Sequence, residues 1–157
     1  MKCTGCGNRL VKGTEKVSRT IGGHSFTAEI PALKCSRCGE VQFTLHDLEQ
    51  FELSVARSLA LAGASSGEVF KFQRKALGLK ATELGELLDA TPETISRWET
   101  GQREIPRAAL AVVGTLVEDA LGDRTDTASK LRALAKPKKL AKQIRLDFAT
   151  GDVQKRA

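Results

Sequence analysis

The stretch "FQRKALGLKATELGELLDATPETISRWETGQREIP", residues 72–106, decides how this chain folds. It reads as helix, short helix, turn, helix. Leu77, Leu79, Leu84, Leu87 and Leu88 supply an apolar stripe at helical spacing. Gly85 stands where a small residue lets two helices cross closely, and Asp89 and Ala90 carry the turn. Thr91 is a good N-cap, Pro92 a good first helical residue, and Glu93 suits the positive end of a helix. Ile95 and Trp98 are three apart and face inward together. Glu93, Thr94, Ser96 and Arg97 are left outside, near the start of that helix.

In a helix-turn-helix, that end of the second helix meets base edges in the major groove. The segments "R-x-x-L-G-L-x-x-x-E-L" and "T-x-x-x-I-S-R-W-E-x-G" resemble the XRE/Cro-type helix-turn-helix signature over these 35 residues. The resemblance implies that Arg74 and Glu99 form a buried structural ion pair. It also implies that Arg97 contacts bases or phosphates, bidentate Arg to guanine being the commonest specific pairing. The DNA-facing set is Thr82, Thr91, Glu93, Thr94, Ser96, Arg97 and Arg103. Two departures stand out. Ala81, between Lys80 and Thr82, occupies a position where Gln or Ser often grips phosphate, and Glu93 replaces a frequent neutral amide. Residues 67–123 hold seven basic and ten acidic side chains, so DNA affinity would depend on dimerisation and on the tail. A helix-turn-helix used only for protein contact is the alternative.

Outward to the N-terminus lie two C-x-x-C-G motifs, Cys3 and Cys6, then Cys35 and Cys38, with 28 residues between. A C-x-x-C turn points two sulfurs at one ion, and a following Gly lets backbone N–H groups approach them. Two such knuckles make a closed all-sulfur site suited to structural Zn2+. The spacer reads as a hairpin, "EKVSRTI", then "GG" as a tight turn, then "SFTAEIPALKC". A thioredoxin-like redox motif would be one C-x-x-C in a βαβ setting, which is not the pattern here. Four cysteine ligands leave no open position for catalysis. His24 and His46 read as surface residues. A unit of about 45 residues is too small to hold itself without the metal.

The remaining segments organise around these two motifs. "TLHDLEQFELSVARSLALAG" has Leu45, Leu48, Phe51 or Glu52, Val55 and Leu59 at helical spacing and predicts a helix over 45–62, capped by Thr44 or Asp47. "GASSG" reads as a linker. The domains are therefore 1–62, a ribbon with a trailing helix; 63–66, the linker; 67–121, the helix-turn-helix; and 122–157, a basic tail. Helix starts fall near Gly67, Ala81, Thr91 and Pro106. The formal net charge is +6, and residues 124–157 hold ten Lys or Arg against three Asp or Glu. The basic character thus belongs to the tail, and an anionic partner such as nucleic acid is implied. In the tail, Leu131, Leu134, Leu140, Ile144 and Phe148 are set among lysines, and Pro137 interrupts any helix. It reads as two short amphipathic helices around "KPKK", or as disorder. The start "MKCTGC" has no apolar signal segment, and no apolar run approaches the roughly 20 residues of a membrane helix. The expectation is a cytoplasmic protein.

The fold class is therefore α+β: a small four-cysteine zinc ribbon with a β-hairpin, joined to an all-α XRE/Cro-like domain. That order, "M-K-C-x-x-C-G", hairpin, "C-x-x-C-G-E", then the helix-turn-helix, resembles the MqsA family of antitoxins over about residues 1–121. The resemblance implies a homodimer that binds a palindromic operator and represses its own operon. It implies a small toxin, commonly an mRNA-cleaving ribonuclease, bound by the ribbon. The basic tail is not part of that pattern. A stand-alone zinc-containing repressor is the alternative. No nucleophile–base pair, phosphate-cradling Gly loop or open metal position argues for an enzyme.

Overall fold

The computed structural model describes residues 1–140 and the backbone of Arg145–Leu146 and Val153–Gln154. Two long strands open the chain, β1 (Leu10–Ile21) and β2 (His24–Cys35), paired antiparallel from Leu10↔Cys35 to Ile21↔His24. The turn between them is the two residues Gly22 and Gly23, with φ of 60° and 79°. Such a turn needs positive φ at both central positions, which glycine adopts without a Cβ penalty. A two-residue strand β3 (Val41–Gln42) adds to the far edge of β2 and was not anticipated from the sequence.

Among the described residues six helices follow: α1 (Leu45–Leu61), α2 (Gly67–Ala76), α3 (Ala81–Leu88), α4 (Pro92–Glu99), α5 (Arg107–Leu121) and α6 (Asp126–Ala135). Side-chain oxygens cap three of them: Thr44 on α1, Ser66 on α2 and Thr91 on α4. Each removes one orphan backbone donor, worth about 1 kcal/mol. The fold is α+β, with a three-stranded antiparallel sheet ahead of the helices.

Two apolar cores share α2. On one side Val69 and Phe72 join Phe51, Val55, Ala56 and Leu59 of α1, Val117 of α5 and Ile30 of β2. Val17, Ile21, Phe26 and Ala28 pack on the same cluster, so one face of the hairpin lies on the helices. The inward positions of β2, Phe26, Ala28, Ile30 and Ala32, keep the period of two that a half-buried strand requires. Arg19 of β1 reinforces the contact. It pairs with Glu52 at 3.3 Å and places its guanidinium 5.8 Å from the Phe72 ring centre. On the other side of α2, Phe70 meets Leu84, Ile95, Trp98, Ala109 and Val113. Phe70 and Trp98 stack edge to face at 5.8 Å.

Leu45 and Leu48, expected on the apolar stripe of α1, are exposed. The buried residues of that helix begin only at Phe51, so its later turns alone reach the core. Gly85 has a different role from a helix crossing. A Cβ there would run into the carbonyl oxygen of Ala90, so the turn itself requires the glycine. The first half of the expected amphipathic tail forms α6. After Pro137 the described backbone includes two dipeptide strands, β4 (Arg145–Leu146) and β5 (Val153–Gln154), paired antiparallel. Ile144 and Phe148 lie outside the described residues.

Candidate functional site

The hairpin register brings the cysteine motifs together, because Leu10, just past the first, pairs with Cys35, which begins the second. Both motifs fold alike. In the first, the Gly7 N–H donates to the Cys3 carbonyl at 2.9 Å and the Cys3 N–H to the Asn8 carbonyl at 2.7 Å. In the second, the Gly39 N–H donates to the Cys35 carbonyl at 3.0 Å and the Cys35 N–H to the Glu40 carbonyl at 2.9 Å. Gly7 and Gly39 sit at φ of 71° and 75°, the left-handed conformation each turn needs.

All four sulfurs lie within 4.8 Å of one another, with Cys3–Cys38 and Cys6–Cys35 each at 3.5 Å. A tetrahedral ion with bonds of about 2.3 Å holds its ligands about 3.8 Å apart, so the cluster has the dimensions of a four-thiolate metal site. All four cysteines are free thiols. Cys3 and Cys35 are buried with Leu10, while Cys38 is exposed. The donor set is soft and closed, which suits zinc. His24 and His46 are exposed and do not belong to the group.

Glu40 is the residue that sequence reading passed over. Its Oε2 accepts from the Cys3 thiol at 2.8 Å and the Gly5 N–H at 3.0 Å. Its Oε1 accepts from the Thr4 hydroxyl at 2.6 Å and the Gln42 amide at 2.9 Å. The carboxylate therefore ties the first knuckle to the second. These donors, Cys3 foremost, hold its carboxyl at about 2. In return, the bond to Glu40, with burial, pushes the Cys3 thiol up to about 11. Cys35 goes the other way, to about 6, chiefly because the Cys38 backbone N–H points at its sulfur. The available signal was the "E" that closes "CSRCGE".

The second site is α3, a turn, and α4. Asp89 ends α3 at φ of 51°, and the Ala90 N–H returns to the Gly85 carbonyl at 2.9 Å. Thr91 then starts α4 by accepting from the Thr94 N–H at 3.2 Å. Leu84, Ile95 and Trp98 are buried beneath. Of the residues expected to face DNA, Thr82, Thr91, Glu93, Ser96, Arg97 and Arg103 are exposed and Thr94 is half-buried. The Glu93 carboxyl is held low, mainly by its own backbone N–H at the helix start, then by the Thr91 hydroxyl and Arg97.

Arg74 and Glu99 brace this unit from behind. Arg74 Nε donates to Glu99 Oε1 at 2.5 Å and Nη2 to Oε2 at 3.1 Å, while Nη1 donates to the Leu79 carbonyl at 2.7 Å. One guanidinium thus fixes α4 and the loop leading into α3 to α2.

A protein-family model described as the antitoxin component of a bacterial toxin-antitoxin system, MqsA, matches residues 1–119, a span that includes both the cysteine cluster and the α3–turn–α4 unit. No curated protein matches the chain.

Proposed function

The chain belongs to the MqsA antitoxin family, and from that premise we propose that it neutralises a small ribonuclease toxin and represses its own operon. The observation that carries the proposal is the single match running across both sites. One module alone would be consistent with many regulators. The two in this order couple a protein-binding platform to a DNA-reading one.

In this reading Cys3, Cys6, Cys35 and Cys38 hold Zn2+, which supplies a structural cross-link and no reactive position. The four-sulfur geometry supports it. The chain acts as a homodimer, so that two α4 helices meet a palindromic operator about one helical turn apart. Arg97 reads a base, and Glu93, Thr94 and Ser96 shape the preference around it. Thr82, Thr91 and Arg103 flank that surface. Arg74 and Glu99 keep the helices in register and do not touch DNA. The setting is the cytoplasm; among the described residues no helix is long and apolar enough to cross a membrane.

The test is co-expression with the product of the neighbouring short reading frame. A complex that co-purifies, with growth arrest when that product is made alone, is the expected result. No complex and no toxicity would overturn the antitoxin assignment for this chain.

A further inference from the structure

The helix-turn-helix unit is poorly charged for a DNA-binding surface. Residues 67–123 carry ten acidic and seven basic side chains, and Glu83 and Glu86 lie on α3 itself. The basic residues are concentrated after position 123, beyond the family match. The structure shows where the first of them are placed.

Helix α6 is anchored at its start. Asp119 of α5 accepts the Thr127 N–H at 2.8 Å through Oδ2, and its own carbonyl accepts the Arg124 N–H at 2.7 Å. Asp123, at φ of 51°, turns the chain back between the two helices. Ala128 packs on the second core. One turn on, Leu131 and Leu134 share a cleft with Leu87, Leu88 and Val112. At the far end Arg132 and Lys136 share a second cleft with Leu79 and Glu83, at the start of α3. The helix therefore runs from the end of α5 toward the N-terminus of α3. Pro137 stops it there, since proline cannot continue the ladder. Lys136, Lys138 and Lys139 follow, all exposed. Among the described residues, none of the three is in an ion pair.

We propose that α6 is a bracket that sets the basic run Lys136–Lys139 beside the N-terminus of α3, where it binds the phosphates of duplex DNA. The inference rests on the DNA-binding reading above. In a helix-turn-helix the first helix of the pair crosses the DNA backbone, so the edge bearing Lys80 and Thr82 faces phosphate. The bracket acts in two ways. Arg132 and Lys136 offset the carboxylates of α3 that would repel the backbone, and Lys138 and Lys139 extend the cationic edge. Contacts of this kind add affinity without reading sequence.

The experiment uses the full chain and two duplexes of equal length, the operon's own upstream region and a scrambled version. Binding is followed by anisotropy from about 50 to 200 mM salt, the range over which phosphate contacts dominate. In the variant K136Q/K138Q/K139Q the slope of log K against log salt should become shallower by about 2 to 3 on both duplexes, since each phosphate no longer neutralised removes about 0.9 from it. The ratio of upstream to scrambled affinity should persist. A full chain that binds the upstream duplex, with an unchanged slope in the triple variant, would overturn the bracket and leave the DNA reading standing. A full chain that binds neither duplex would overturn the DNA reading and the bracket with it. If the triple variant loses affinity for single-stranded RNA of the same sequence but not for duplex, the partner is RNA and the inference is wrong. Asp119→Ala, which loosens α6 and keeps every lysine, separates placement from charge. A shallower slope supports the bracket, and an unchanged one shows the lysines act without it.

Discussion

Arg74 on α2 and Glu99 at the end of α4, 25 residues apart, close on each other through two parallel N–H···O bonds, with side chains only 11% and 7% exposed. Neither residue reaches the face that would meet DNA. The pair instead ties α4 to α2, while the remaining guanidinium nitrogen of Arg74 bonds the Leu79 carbonyl.

Removing one member should therefore cost far more than a surface ion pair. Glu99→Ala should destabilise the helical half by about 3–5 kcal/mol, because it strands a buried guanidinium. The double replacement Arg74→Met with Glu99→Leu should recover much of that loss. Urea titration checks both variants. A single variant within about 1 kcal/mol of the parent would show that the pair is solvated in solution.

If the four cysteines hold zinc as proposed, its loss should unfold only one end of the hairpin. Cys3→Ser should abolish stoichiometric zinc, measured by elemental analysis, and expose amides near residues 3–10 and 35–40 to exchange. The glycine-turn end is held separately, by Ile21, Phe26 and Ile30 against α1 and α2. Its amides should stay protected. Uniform loss of protection along both strands would show that the apolar contact does not hold without the ion.

Arg97 is exposed on the outer face of α4, with no side-chain hydrogen bond to a neighbour among the described residues. Arg97→Ala should weaken operator binding by about 1–3 kcal/mol and relax preference at one base position. It should leave thermal stability unchanged. Equal losses on operator and scrambled duplexes would make the contact a phosphate one.

The link between α5 and α6 should depend on pH in one direction. Asp119 is held below the ordinary aspartate range, first by the Thr127 backbone N–H, then by the Thr127 side chain, with Arg124 and Lys130 adding to the effect. A carboxylate whose folded pKa is lowered stabilises the fold fully above its unfolded value and loses that contribution as pH falls through the folded one. Docking of α6 should thus be constant at neutral pH and weaken only in acid, below the ordinary aspartate range. The Thr127 amide resonance, titrated by NMR, should report that midpoint. A midpoint at or above that of an unperturbed aspartate would contradict the contact.

The sequence by itself determined the long hairpin, the helices α1 to α5 and the two chemical motifs. Both C-x-x-C-G turns, the Gly22–Gly23 hairpin and the Thr91–Pro92 helix start are local signals, decided by φ preferences and capping within a few residues. The α4 pattern is equally local, since Ile95 and Trp98 can only share a face at helical spacing. Tertiary structure alone decided which surfaces meet. Strand alternation says that Phe26, Ala28 and Ile30 share a face, but not that the face rests on α1 and α2. Helical periodicity offered Leu45 and Leu48 to the core, and the path of the chain left them outside. Glu40 acquired three of its four hydrogen-bond donors because the hairpin register carried Cys3, Thr4 and Gly5 to it from 35 to 37 residues away. The orientation of α6 likewise rests on Asp119 meeting Thr127 across a turn. Short-range steric rules are written residue by residue, whereas contacts between elements depend on the whole chain finding one arrangement that buries its apolar faces together.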